Sequence, residues 1–104
     1  MQFTKDADKL ICSMYYAYLE KRENGMNKNN ARHFSFSEIK ALKCCSKWSD
    51  SDIKETVAEI TRSKLGKMFL DGGFFANDDF IIYMENRFVN GAKEVLDFLA
   101  RFIP

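Results

Sequence analysis

Helical and extended spacings of apolar residues alternate along this chain of 104 residues, and they predict a single α+β domain. Three observations carry that expectation. Apolar residues recur at helical spacing over roughly residues 5–22, 50–65 and 90–103. Two serine-initiated helix starts stand close together between them. After Gly66 the spacing turns extended and is punctuated by glycines.

The first element is a helix over roughly residues 5–22. Leu10, Ile11, Met14, Tyr15, Tyr18 and Leu19 follow the rhythm of one helical face. Thr4 or Asp6 can cap its start, and Asn24-Gly25 offers the left-handed residue that closes a helix. The polar stretch from Glu23 to Arg32, with four asparagines and a glycine, reads as a surface loop. Ser35-Phe36-Ser37-Glu38 is a capping box, with Phe34 and Ile39 in the positions of a hydrophobic staple. A short helix should follow through Ile39 and Leu42, reaching as far as Cys45. Ser49-Asp50-Ser51-Asp52 repeats the arrangement between Trp48 and Ile53, although aspartate reaches back less well than glutamate. Ile53, Val57 and Ile60 mark the buried face of this longer helix, and Leu65-Gly66 is expected to end it.

Lys67-Met68-Phe69-Leu70, Gly72-Gly73-Phe74-Phe75 and the apolar run over residues 80–84 then predict two strands. Either the double glycine or Asn77-Asp78-Asp79 could supply the main turn. A last helix is expected over roughly residues 90–103 with Asn90 as cap. Ala92, Val95, Leu96, Leu99, Phe102 and Ile103 lie on one side, and Phe98 broadens it.

Composition narrows the function. An apolar share of 46% and a charged share of 30% exclude a disordered tail, a collagen-like chain and a coiled-coil rod. The longest unbroken apolar run, residues 14–19, is six residues, against the roughly 20 a membrane span needs, so no membrane partner is expected. Lys5, Asp6, Asp8 and Lys9, then Cys12 and Ser13, break up any secretory signal. Three cysteines, two of them the neighbours Cys44 and Cys45, fit a reducing cytoplasm and buried packing better than a disulfide framework or a zinc site. His33, the single histidine, has no catalytic companion nearby in sequence. Without a phosphate loop, a nucleophile elbow or a metal constellation, neither enzyme nor cofactor is expected.

In order, these elements resemble a winged helix-turn-helix domain: three helices, a β-hairpin wing and a C-terminal helix. The likeness runs from Leu10 to Phe102 and is densest from Ile53 to Met84. The stretch from Tyr83 to Gly91 is similar in position to the strand-to-helix join of many small bacterial members. What the resemblance implies is DNA binding, with the helix over residues 50–65 in a major groove and the hairpin on the backbone. Dimers are common for this architecture, which implies a homodimer through the terminal helix.

The residues on that helix argue otherwise. With Ile53, Val57 and Ile60 inward, the opposite face shows Ser51, Glu55, Ala58, Glu59 and Arg62, flanked by Asp52. DNA carries roughly one negative charge per 1.7 Å of axis, so these acids would be repelled. The formal charge is +1, yet residues 28–67 hold nine bases and five acids, while residues 68–104 hold three and six. Two functions follow. A protein-interaction module, of an inhibitor, immunity or antitoxin kind, would use Asp52, Glu55, Glu59, Arg62, Phe74 and Phe75 to hold a basic protein partner. A DNA-binding regulator would rely on Lys28, Arg32, Lys40, Lys43, Lys47 and Lys67. The acidic helix face favours the first.

Overall fold

Almost every helix in this chain starts where a side-chain oxygen satisfies an otherwise orphan amide. The computed structural model describes residues 2–101. The Thr4 hydroxyl accepts from the Ala7 amide (3.2 Å) and opens α1, Lys5–Glu23. This helix buries Ala7, Leu10, Ile11, Cys12, Met14, Tyr15 and Tyr18, and Gly25 (φ 92°) turns the chain after it. The polar stretch that follows is not wholly a loop. The Asn27 side chain accepts from Asn30 (2.8 Å) and starts a single turn, α2 (Lys28–Ala31), anchored by buried Ala31.

A two-residue strand, β1 (His33–Phe34), leads into α3 (Phe36–Lys40). The expected capping box is complete. Ser35 Oγ accepts from the Glu38 amide (3.1 Å), and the Glu38 carboxylate accepts from the Ser35 amide (3.3 Å). The helix is shorter than the apolar spacing predicts, because Leu42 adopts an extended conformation before a 3-10 turn at Lys43–Cys45. Ser49 Oγ accepts from the Asp52 amide (3.1 Å) and opens α4, Asp50–Arg62. This helix stops before the expected Leu65-Gly66. Lys64 takes the left-handed conformation (φ 64°), Leu65 is buried, and Gly66 already belongs to β2 (Gly66–Met68).

The hairpin closes at the double glycine. Gly72 (φ 93°) donates to the Phe69 carbonyl, Phe69 donates to that of Gly73, and the Asp71 carboxylate accepts from the Gly73 amide, each at 2.9 Å. Its second strand is β3, Phe74–Ala76. Residues 80–84, expected as a strand, lie instead in α5, Asp78–Arg87. The Asn77 carboxamide accepts from the Phe80 amide (3.0 Å), Asp78 and Asp79 sit favourably at the helix's positive end, and buried Phe80, Ile81 and Met84 share one helical face. An unbroken apolar run hides that spacing. The last helix, α6 (Ala92–Ala100), starts at Gly91 (φ 77°) rather than Asn90, whose side-chain amide instead donates to Glu94 (3.2 Å). Val95 and Leu99 are buried, Leu96 is half exposed, and Phe98 packs edge-on against Phe88. Phe102 and Ile103, assigned to this helix from sequence, lie outside the described residues.

The described residues thus form an α+β fold of six helices and a three-stranded antiparallel sheet in the order β1-β3-β2. Pairing sets His33 and Lys67 opposite Phe75, and Phe34 and Met68 opposite Phe74. Gly66 permits this closeness, since a Cβ there would stand 2.3 Å from the Phe74 ring and from the Phe75 carbonyl. Arg87 grips Asp8 with both terminal nitrogens while its guanidinium lies over the Phe88 and Phe98 rings, which ties α5 and α6 to α1.

Candidate functional site

Successive residues of a strand face opposite ways, so each row across this sheet has its own environment. Phe34, Phe74 and Met68 point into the core, with Phe74 fully buried. His33, Phe75 and Lys67 form the outward row. The His33 ring lies 4.6 Å from that of Phe75 and 6.2 Å from that of Phe69, centroid to centroid. The Lys67 ammonium sits 5.9 Å from the Phe69 centroid. At the tip of the hairpin, Leu70 is completely exposed. The turn is held against α3, because Gly72 packs on the Phe36 ring, whose face carries the Lys54 ammonium at 5.2 Å. One surface therefore runs from Lys54 over Phe36 and the tip to His33, Phe75 and Lys67, apolar in the middle with lysines along its length.

The sequence offered Phe74 and Phe75 together as partner-binding residues, without deciding which of them is exposed. Phe74 is closed off in the core, and Phe75 is half-buried on the outer face beside His33. Five contributors to this surface were not foreseen: His33, Phe36, Lys54, Phe69 and Leu70. Strand alternation around Phe75 would have flagged Lys67 as its outward neighbour, but β1 is too short to show a period.

The exposed side of α4 is less acidic than its sequence implies. Glu59 turns aside, and its carboxylate accepts from the Thr4 amide (3.0 Å) and hydroxyl (2.9 Å) at the start of α1. Glu55 faces solvent 3.7 Å from Arg62, and Asp52 is exposed. Exposed Lys54, absent from the sequence-based set, stands on the same helix. Asp52, Glu55, Lys54 and Arg62 together carry no net charge.

The basic candidates do not converge either. Arg32 is buried and pairs with Asp78 (2.6 Å), so it is unavailable to a phosphate. Lys40 is engaged by Asp50 (2.8 Å). Lys28 opens α2, while Lys43 and Lys47 are exposed on either side of Cys45; Lys67 belongs to the sheet.

A concavity of about 580 Å³ lies between α1, the α3–α4 connection and α6. Ser13, Tyr16, Leu42, Lys43, Leu96 and Leu99 line much of it. Directly after the lining residue Lys43, the sulfurs of half-buried Cys44 and buried Cys45 stand 3.7 Å apart. Hydrogen bonding from Cys45 outweighs burial and, with the Ser13 hydroxyl and the Lys9 ammonium, lowers the Cys44 thiol to about 7. The same contact and burial push Cys45 up. Burial raises Cys12 to about 12, despite the opposing pull of Arg87. Among the described residues no three His, Cys, Asp or Glu side chains group as metal ligands, and no helix is long and apolar enough to cross a membrane.

Comparison of the chain with protein-family models, with curated proteins and with solved structures finds no match. The reading of its function therefore rests on the surfaces just described.

Proposed function

We propose that this chain is a non-enzymatic binding module on a winged-helix scaffold, and that its partner is another protein held at the outer face of the hairpin. The winged-helix reading is supported by the order helix, one-turn helix, strand, two helices and hairpin, with β1 pairing beside β3. The single observation that carries the function is the outward cluster of His33, half-buried Phe75 and Phe69 ending in Leu70, an apolar side chain with no cover at all. Exposed aromatic and aliphatic groups clustered on a rigid element are what protein interfaces use as anchors. Lys67 and Lys54 at the margins suit a partner that surrounds an apolar contact with carboxylates. The basic partner expected from the acids of α4 has less support, since Glu59 is drawn onto α1 and Arg62 stands beside Glu55.

DNA binding is the second reading, favoured by one observation: with Glu59 withdrawn, Lys54 and Arg62 offset the acids on α4. It lacks the basic excess that phosphate contacts require.

Photo-crosslinking from position 70 in cells of the source organism, followed by reconstitution with the purified crosslinked protein, tests the first reading. Replacing Phe69 and Leu70 by serine should weaken that complex at least tenfold with the thermal midpoint unchanged. Binding to random duplex DNA across a salt series should be absent at physiological salt. Sub-micromolar affinity at low salt with a steep salt slope would establish the second reading instead.

A further inference from the structure

We propose that Cys44 and Cys45 form a two-thiolate site for a trivalent arsenical, a metalloid centre that needs only two protein ligands. The 3-10 turn Lys43–Cys45 sets the two sulfurs 3.7 Å apart. Two arsenic–sulfur bonds of about 2.3 Å at the roughly 100° of a pyramidal trivalent centre separate their sulfurs by about 3.5 Å, so the pair stands within a few tenths of an ångström of the required bite. A disulfide fits this turn poorly. Neighbouring residues on a trans peptide hold their Cα atoms about 3.8 Å apart, below the roughly 4.4 Å at which disulfides begin. Zinc fits poorly too, because it seeks four ligands and no third candidate joins the pair among the described residues.

A monosubstituted arsenical brings its own third substituent. Lys43, next to Cys44 in the chain, lines the groove of about 580 Å³ together with Ser13, so half-buried Cys44 borders the groove and Cys45 lies buried behind it. Tyr16, Leu42, Leu96 and Leu99 offer that substituent an apolar seat. The chemistry is condensation without redox change. An arsenoxide loses its arsenic–oxygen double bond and gains two arsenic–sulfur bonds. The two thiol protons leave on the oxygen as water.

The test is titration of the purified full chain with phenylarsine oxide, followed by intact mass spectrometry and thermal melting. One adduct per chain is expected at equimolar reagent. It should survive excess monothiol, yield to a dithiol and raise the melting temperature. Cys44→Ser and Cys45→Ser should each lose the monothiol-resistant adduct, whereas Cys12→Ala should keep it. Circular dichroism establishes that each variant folds, and Cys45→Ala replaces Cys45→Ser should the latter fail. A resistant adduct in either Cys45 variant, its loss in Cys12→Ala, or no adduct in the native chain would overturn the site. Cadmium, which favours more thiolates, should bind at least tenfold more weakly, and equal affinity would overturn the two-ligand geometry.

Discussion

Phe74 and Phe75 are neighbours in the chain and belong to different parts of the molecule. Phe74 lies in the inner row of the sheet, fully buried between Phe34 and Met68 and 6.1 Å from the Phe80 ring. Phe75 lies in the outer row, half-buried between His33 and Lys67. The inner row has layers of core beneath it, formed by α1, α4 and α5. The outer row has only the side chains beside it. One face of a three-stranded sheet thus supplies stability while the other stays open to solvent, and the first holds the second in place.

The contrast is broken or upheld by alanine at each position. Phe74→Ala should cost about 3–5 kcal/mol, the range for emptying an aromatic site in a packed core, and this is enough to unfold a marginal small domain. Phe75→Ala should cost about 1 kcal/mol, since it removes area that is already half wet and one ring contact. Urea unfolding measures both. Equal losses would mean that the outer row is core in solution, covered by a second molecule.

Asn77 sharpens the comparison where the inner row passes into α5. Its carboxamide oxygen accepts from Phe80, its amide group donates to the Lys64 carbonyl (3.0 Å), and its backbone amide donates to that of Leu65 (3.1 Å). Asn77→Ala removes both side-chain bonds and should cost about 1–2 kcal/mol, as cap losses do. Asn77→Asp keeps the cap acceptor and loses the donor to Lys64, so thermal melting should show a smaller loss. A full loss with aspartate would assign the stability to the Lys64 link and not to the cap.

This junction also shows what was legible in the chain. Helix starts at Ser35 and Ser49 could be read because a cap is a local signal, written in three or four consecutive residues. The Asn77 cap carries the same signal, yet the five apolar residues from Phe80 read as a strand. A continuous run has no period of its own, and only packing on β3 and α1 selects the helix. The outward row was illegible for another reason. A two-residue β1 shows no alternation, and the exposure of Phe69 and Leu70 depends on the turn closing at Gly72. The fate of Glu59 rested on a partner 55 residues away, Thr4, which no local pattern displays.

The smallest expected effect concerns the tether between α1 and the strand that bears His33. The Lys21 ammonium donates to the His33 carbonyl (2.9 Å), pairs with Glu38 (2.8 Å) and lies 4.0 Å from the Phe34 ring centroid. Burial alone would push the Glu38 carboxyl up, but the hydrogen bonds from Lys21 and Ser35 outweigh it and hold the group below its ordinary value. A carboxylate depressed on folding stabilises the native state above the unfolded value, about 4.3 for glutamate, and that contribution disappears as pH falls through the lower folded value. Glu38 is 46% exposed, so solvent screening limits the contribution to a few tenths of a kcal/mol. Urea midpoints of the native chain and Glu38→Gln, compared between pH 7 and pH 3, should show a small advantage for the native chain at pH 7 that shrinks on acidification. An advantage that stayed constant would mean that Glu38 acts through its packing alone. The outer row would then be tethered by the contacts of the Lys21 ammonium with Phe34 and the His33 carbonyl, and would keep its shape in acid.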